Sequence, residues 1–395
     1  MIDKKYDLII IGAGASGVMA AASALKCNKT VLVIDNQDAP LRKVRISGGG
    51  RCNFTNLDMS ADHYVSENPH FIKSAIKQFK VFDFLAEMDK HNIPYYEKKL
   101  GQIFCKNKSS DIINYLLEQS KDADFLFNTN IISLQKNNNI FEIKTSLACF
   151  NSTSVIISTG GISYPNIGVS NFAAETAKNF GLNVIDFSPA LVPLRLQNPY
   201  IELAGIALYC KISIGKKFFY DDMLFTHKGL SGPAILKISS YWSKGISVGI
   251  DLLPNENIKL LINQERSSKD KQTIQSFMKN YFSTKVANLI LDQTNIDNKN
   301  IQELSNYQIE LLYNFIHSFT VKPVADMGYE LAEISKGGVD TKELSSKTFE
   351  ANKVSGLYFI GEAIDVAGNL GGYNIWFAFA SGFIAGKCQT DNKSC

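Results

Sequence analysis

The first 35 residues constrain this chain more than any other stretch. "YDLIII" (Tyr6–Ile11) is a continuous apolar run of the kind shown by a strand buried on both faces. "GAGASG" follows at Gly12–Gly17, then the Ala-rich "ASGVMAAASALK", then a second apolar run, "TVLVID", ending at Asp35. Strand, glycine loop, helix and strand in this order make a β-α-β unit. The glycines have separate tasks: Gly12 permits the tight turn, Gly14 lets backbone approach a pyrophosphate, and Gly17 lets the helix close on the strand. Ala13, Ala15 and Ser16 lie between them, and the helix that begins there turns its free N–H groups and positive dipole end toward phosphate. Asp35 stands 21 residues beyond Gly14, where an acid accepts a hydrogen bond from a ribose 2′-hydroxyl. The unit is expected to bind a dinucleotide.

Further glycine-rich segments narrow the choice. They are Gly48-Gly49-Gly50 in "RISGGGRCNFTN", Gly160-Gly161 after "TSVIIST", Gly361-Glu362 after "GLYFIG" and Gly371-Gly372 in "GNLGGYN". A single nicotinamide site leaves these unexplained. FAD is longer, and its ribityl chain and ring system need more backbone brought close, so FAD is the expected cofactor.

Along the rest of the chain, residues 69–93 read as helical, with Phe71, Ile72, Ala75, Ile76 and Phe79 on one face. Thr153–Thr159 reads as a buried strand, and Asn171–Phe180 as a helix. From Ser188 to Leu253 short strands dominate, and Asn255–Phe319 is polar, without a glycine and expected to be helical. The expected organisation is an FAD-binding domain whose first part spans 1–188, an inserted β-barrel-like domain at 189–254, an inserted helical domain at 255–320 and a return segment at 321–395.

Composition excludes several classes. A net charge of +3 over 395 residues, with no basic arm, argues against a nucleic-acid partner, and none is expected. Seven cysteines are dispersed singly with no C-x-x-C pair, which suits a reducing, cytoplasmic setting, and no metal-ligand spacing appears among them or the five histidines. Leu8–Leu25 and Val366–Gly386 carry no charge over 18 and 21 residues, but their glycines and asparagines read as turns, so no membrane insertion is expected. Oligomeric state is left open.

The blocks "GAGASG", "ISGGGRCNFTN", "STGGISYPNIG", "FTHKGLSGP", "GGVDTKEL" and "GLYFIGEAIDVAGNLGGYN", in order from Tyr6 to Gly386, resemble the signature of the HI-0933-like flavoprotein family. That family includes BaiN-type bile-acid-reductase-like and aminoacetone-oxidase-type enzymes. The resemblance implies an α/β fold: a glutathione-reductase-like Rossmann FAD-binding domain interrupted by a small β-barrel and a helical insertion. It implies that Gly12, Ala13, Gly14, Ala15, Ser16, Gly17 and Asp35 hold the ADP half, with Arg42 or Lys43 near the adenosine ribose or phosphates. Gly48, Gly49, Gly50, Arg51, Cys52 and Asn53 would lie against the flavin, and Thr159, Gly160 and Gly161 would close over the adenine end. Gly361, Glu362 and Asp365 would face the ribityl or pyrophosphate. Gly371, Gly372, Tyr373 and Asn374 would meet the flavin ring at a helix start, where negative charge on its N1–C2=O edge is stabilised.

Three positions depart from the family pattern: Trp376 replaces a usual Gln, Val169–Phe172 replaces "STGD", and Asp35 replaces a usual Glu. Candidate catalytic residues are His227, Tyr373 and Cys52, each of which also has an ordinary structural reading. The main expectation is an oxidoreductase with bound FAD, reduced by NAD(P)H and passing hydride to a small organic acceptor. No second G-x-G-x-x-G exists, so the nicotinamide would bind transiently. The alternatives are an oxidase of a small amine or carbonyl compound that makes peroxide, a flavin-dependent RNA-modifying protein marked by a basic, aromatic-interleaved face, and a non-catalytic flavin sensor.

Overall fold

The computed structural model describes residues 4–168, 170–268 and 271–388; Val169 and Cys395 lie outside them. The chain forms two compact units, one of residues 1–190 with 332–395 and one of residues 191–331.

In the first unit the apolar runs become a parallel sheet. Strands Asp124–Leu126, Val31–Ile34, Lys4–Ile11, Cys149–Ile157 and Leu357–Phe359 lie side by side in that order. Leu8, Ile9 and Ile10 are buried, as a strand covered on both faces requires. The first half of Cys149–Ile157 also pairs antiparallel with Ile140–Thr145, which pairs with Ile131–Asn137. Helix Ala15–Leu25 packs on the final helix, Tyr373–Lys387. Small residues bring the two backbones close: a Cβ on Gly382 would stand 2.2 Å from Ser16 O, and one on Gly386 2.4 Å from Ala20 O. Among the described residues no helix is long and apolar enough to cross a membrane.

The helical stretch expected over 69–93 is two helices, Ile72–Gln78 and Val81–Lys90. Phe79 leaves the helix at φ −125°, ψ 84°, because its ring packs against Phe84, Trp376 and Phe383 at centroid distances of 5.2, 6.1 and 5.2 Å. Tertiary packing overrides the local period there. The glycine triplet ends a helix, Arg42–Gly50, that is broken inside: Ser47 is extended, and Gly48, Gly49 and Gly50 have φ of +57°, +66° and +81°. That left-handed run needs glycine. It leads into strand Asn53–Asn56, which pairs with Gln102–Cys105, itself paired with Tyr95–Glu97.

The second unit holds a seven-stranded antiparallel sheet. Its order is Phe319–Val321, Val248–Asp251, Ala207–Ile214, Lys217–Thr226, Gly229–Ser231, Leu194–Arg195 and Ala325–Asp326. Helices Ile258–Arg266, Ile274–Met278, Thr284–Thr294 and Asn306–His317 each start at a side chain that accepts a backbone N–H: Asn257, Thr273, Ser283 and Ser305. Helices and sheet share one hydrophobic cluster, and two strands that follow the helices complete the sheet. The strand-rich and helical parts, expected as 189–254 and 255–320, therefore share a single core, and the unit runs on to Leu331. A buried ion pair, Lys237 Nζ to Asp221 at 2.8 Å, ties helix Pro233–Ser239 to the sheet.

Candidate functional site

The motif glycines fall into two kinds. Some are closed in: a Cβ on Gly12 (φ +109°) would lie 2.6 Å from Ser158 O, and one on Gly17 only 1.9 Å from Gly12 O. Others are open: a Cβ on Gly14, Gly49, Gly50 or Gly160 would meet no heavy atom of the described residues within 4 Å. Helix Ala15–Leu25 starts at Gly14 with no side-chain cap and no acid in its first turn, so its leading N–H groups are left for an outside acceptor. The Thr159 hydroxyl, at the end of the central strand, is buried with no hydrogen-bond partner among the described residues.

Asp35 holds the loop in shape, its two oxygens accepting from the Ala13 N–H at 2.6 Å and the Gln37 N–H at 2.8 Å. Each oxygen keeps a lone pair for a ribose hydroxyl. Arg42 hydrogen-bonds the Gln37 side chain and lies 3.8 Å from Asp38. Lys43 and Glu362 turn to each other. Lys43 Nζ donates to Glu362 Oε2 at 2.7 Å and to Ser163 Oγ at 2.8 Å, while Glu362 Oε1 accepts from the Ser335 N–H at 2.7 Å and from Ser163 Oγ at 3.0 Å. Gly161 and Gly361 pack rather than open, against Ser335 and Ser16 respectively.

Asp365 is a stitch between segments. Its carboxylate accepts from the Glu67 N–H at 2.7 Å and from Ser66 Oγ at 3.3 Å, and burial pushes its pKa up against those bonds. Asp365→Ala, which orphans the Glu67 N–H, is expected to lower stability by about 1–3 kcal/mol in urea denaturation, with Asp365→Asn recovering part of the loss.

At the other end, two distant motifs meet. Asn56 Nδ2 donates to Gly371 O at 3.0 Å and to Leu100 O at 3.1 Å. Asn53, with its amide turned to satisfy both neighbours, donates to Ile103 O and accepts from the Gly372 N–H, each at 3.1 Å. A Cβ on Gly372 (φ +95°) would stand 2.3 Å from Thr55 O. So "CNFTN" grips "GGYN", and the start of helix Tyr373–Lys387 is set beside the strand that follows the glycine triplet. That helix too has neither a side-chain cap nor an acid in its first turn. Asn374 closes the preceding turn, exchanging bonds with Gly368 N–H and O at 2.7 and 2.8 Å.

Tyr373 is buried under His63, which stacks on it at 4.5 Å and 22° and pairs with Asp58 at 2.9 Å. Burial, then the Asp58 charge, raises the Tyr373 pKa. Cys52 is fully buried at φ +47°, and its thiol neighbour is Cys105. The hydrogen bond to Cys105 and burial push the Cys52 pKa well up, while receiving that bond holds Cys105 down. Cys52 lacks a partner in local sequence and finds one through the pairing of strands Asn53–Asn56 and Gln102–Cys105. Arg51 lies on the surface, 3.5 Å from the Tyr96 hydroxyl. His227 lies exposed in the second unit, in the turn between Lys217–Thr226 and Gly229–Ser231. Trp376 is fully buried beside Phe79 and Tyr64, so this departure from the family pattern packs the core. Asn56, His63 and Cys105 are the neighbours that sequence reasoning missed. Asn56 stood three residues beyond the residues chosen, while His63 and Cys105 carry no local signal.

Open backbone at Gly14, Gly49, Gly50 and Gly160, the orphaned Thr159 hydroxyl and two uncapped helix starts fit a long, anionic, ring-bearing group such as FAD.

The comparisons with known proteins agree on fold and revise the substrate. The sequence profile described as the HI0933-like protein Rossmann domain matches residues 6–388. The chain is 39% identical to a ribosomal RNA dihydrouridine synthase of Escherichia coli (strain K12), over 98% of both chains. It is 40% identical to the Haemophilus influenzae protein of the same name, over 95% of this chain and 96% of that one. A 3-dehydro-bile acid delta(4,6)-reductase from Clostridium scindens is 27% identical over 97% and 98% of the two chains. Among solved structures, a 3-ketosteroid-delta4-(5alpha)-dehydrogenase from Rhodococcus jostii RHA1 shares the fold, with a TM-score of 0.50 at 10% identity over 99% of this chain and 98% of that one.

Two expectations are corrected by these relatives. A small organic acceptor as the main substrate, and the absence of a nucleic-acid partner, both give way before full-length relatives named for acting on ribosomal RNA. The physical reason is that net charge is a sum over the whole chain. It does not report how strand pairing groups lysines and aromatic rings on one face.

Proposed function

We propose that this chain, which belongs to the HI0933-like Rossmann family, is an FAD-dependent RNA dihydrouridine synthase that saturates the C5–C6 bond of a uridine base in ribosomal RNA. The observation that carries the reading is 39% identity over 98% of both chains to a relative of that name. The chemistry is consistent across the family. The uracil C5=C6 bond is conjugated to the C4 carbonyl, which makes C6 accept hydride and C5 take a proton. The bile-acid relative is likewise named for reducing double bonds in a 3-oxo compound. When bound and reduced by NAD(P)H, FAD would supply the hydride to C6, with water the source of the proton at C5.

The chain's own residues supply the cradle. Gly14 and the uncapped start of helix Ala15–Leu25 receive the phosphates, and Asp35 receives the ribose. Gly49 and Gly50 leave room for the ring, and the first-turn N–H groups of Tyr373–Lys387 stabilise negative charge on it. A stacked uridine is out of reach of any such site, so the target base must leave the stack. A cytoplasmic location belongs to the same reading, supported by the relatives named for acting on ribosomal RNA.

The test uses the yellow, purified protein and unmodified ribosomal RNA transcribed in vitro, with NADH or NADPH added without air. The expected result is bleaching of the flavin by one nicotinamide, recovery of its colour on adding RNA, and a uridine heavier by two hydrogens after nuclease digestion and mass spectrometry. Flavin that bleaches but leaves every uridine of the ribosomal RNA at its original mass would overturn the reading.

A further inference from the structure

We infer that one face of the small sheet beside the glycine triplet, marked by Arg51, Lys98 and Lys106, grips the phosphates of the RNA strand on either side of the target uridine; the inference rests on the RNA reading above. The whole face lies in the first unit, with the cofactor cradle. Strand residues alternate between faces. Tyr96 pairs opposite Phe104, and their rings stack at 5.8 Å and 26°. Lys98 joins them on that side, its Nζ 5.3 Å from the Phe104 ring centre. The ladder continues past the strand ends, since the Lys98 N–H donates to Gln102 O at 2.8 Å and the Lys106 N–H to Pro94 O at 2.9 Å. Alternation therefore puts Lys106 on the face of Phe104. Arg51, just before strand Asn53–Asn56, reaches the same face, with its guanidinium 3.5 Å from the Tyr96 hydroxyl.

Two sets of contacts tie this face to the triplet. The Phe104 ring packs on Gly48, where a Cβ would stand 2.9 Å from it. Ser109, which follows Lys106 and Lys108, donates its N–H to Gly50 O and its hydroxyl to Arg45 O, each at 2.8 Å. The cations thus border Gly49 and Gly50, the open backbone assigned to the flavin ring. Arg45, Arg51, Lys98, Lys106 and Lys108 are all exposed. Among the described residues none of Arg51, Lys98, Lys106 and Lys108 is paired with a carboxylate. The acids nearby are turned away or engaged. Glu97 alternates to the opposite side of its strand. Asp111 accepts from Asn107 Nδ2 at 3.3 Å, and Asp58, beyond strand Asn53–Asn56, is held by His63 at 2.9 Å.

Unpaired cations around an opening favour an anion, and their spread says which kind. Lys98 and Lys106 stand four residues apart along the paired strands, about 13 Å. The diphosphate of a nicotinamide cofactor is too short to meet both, whereas successive phosphates of a nucleotide strand span such a distance. Phosphate contacts fix the register and orientation of a nucleic acid without reading its sequence. An enzyme that draws one uridine out of its stack must hold the backbone on both sides while the base enters. Cations at the rim of the flavin opening are placed to do so.

The experiment titrates a short, labelled, uridine-rich single-stranded RNA with the FAD-loaded full-length protein and reads fluorescence anisotropy over a salt series. Lys98→Gln with Lys106→Gln is expected to weaken binding by roughly tenfold and to flatten the slope of log affinity against log salt by about 1.4, the share of two phosphate contacts on a single strand. Flavin content and bleaching by NAD(P)H are expected to stay as in the wild type. Lys98→Glu with Lys106→Glu should lose more, while Lys98→Arg with Lys106→Arg, which keeps both charges, should bind normally. Arg51→Gln should remove a third contact's share of the slope. Wild-type affinity and salt slope in the glutamine and glutamate variants would overturn the proposal. So would retained RNA affinity with more NAD(P)H needed for bleaching, which would give the lysines to the nicotinamide cofactor. The two readings fail separately. Wild-type protein that makes dihydrouridine while the lysine variants bind RNA normally sinks only the face. Wild-type protein that makes none, yet loses RNA with its lysines, sinks only the assigned reaction.

Discussion

Gly17→Val is expected to yield no folded flavoprotein. Even a single Cβ at this position would stand 1.9 Å from Gly12 O and 2.6 Å from Ser158 Oγ. Neither neighbour can move aside. Ser158 Oγ donates to Ile11 O at 2.9 Å and to Gly12 O at 2.8 Å, and Gly12 itself would tolerate no Cβ against Ser158 O. The helix would have to shift off the strand, which disturbs its close packing against the final helix. Overpacking of a closed site costs about 1–3 kcal/mol when side chains can adjust, and more when the obstacle is backbone. Against a total of about 5–15 kcal/mol, that is a large fraction. Gly17→Ala is the measurable version: its melting temperature should fall by roughly 5–10 °C, with a lower soluble yield. An alanine variant that melts with the wild type and stays yellow would show that loop and helix are not packed as described. Gly14→Ala is the contrast. Its Cβ meets nothing within 4 Å among the described residues, so it should fold normally and lose only cofactor affinity.

Gly49→Val is expected to do the opposite, leaving the fold and removing the colour. The position is open, so no protein atom resists the side chain. The φ of +66° strains a non-glycine residue by about 1–2 kcal/mol, which a chain of this size survives. The added carbons occupy space that FAD needs, so the purified protein should show no flavin absorbance. Its melting temperature should lie below that of wild-type protein stripped of flavin by only the few degrees this strain costs. Gly49→Ala should retain part of the cofactor, because it carries similar strain and less bulk. Gly48→Val should fail differently, by misfolding, since its Cβ would press on the Asn53 N and the Phe104 ring, each at 2.9 Å. A Gly49→Val protein that purifies yellow with full occupancy would remove the glycine triplet from the cofactor's path.

What could be read along the chain was whatever is encoded within one turn or one strand. "YDLIIIGAGASG" states a buried strand, a tight turn and a helix start because apolar continuity, positive φ and close approach are each local demands on residue type. The same holds for the helix after "GGYN". Pairing is not local. Cys52 and Cys105 are neighbours because Asn53 pairs with Phe104, and Asn53 and Asn56 find Gly371 and Gly372 only once that strand is placed. Phe79 ends a helix because Trp376 and Phe383 receive its ring. The face of Arg51, Tyr96, Lys98, Phe104 and Lys106 exists because register, which a one-residue slip would invert, turns them to one side together. Scattered along the sequence, those residues average into a net charge of +3; only the paired strands make them one surface.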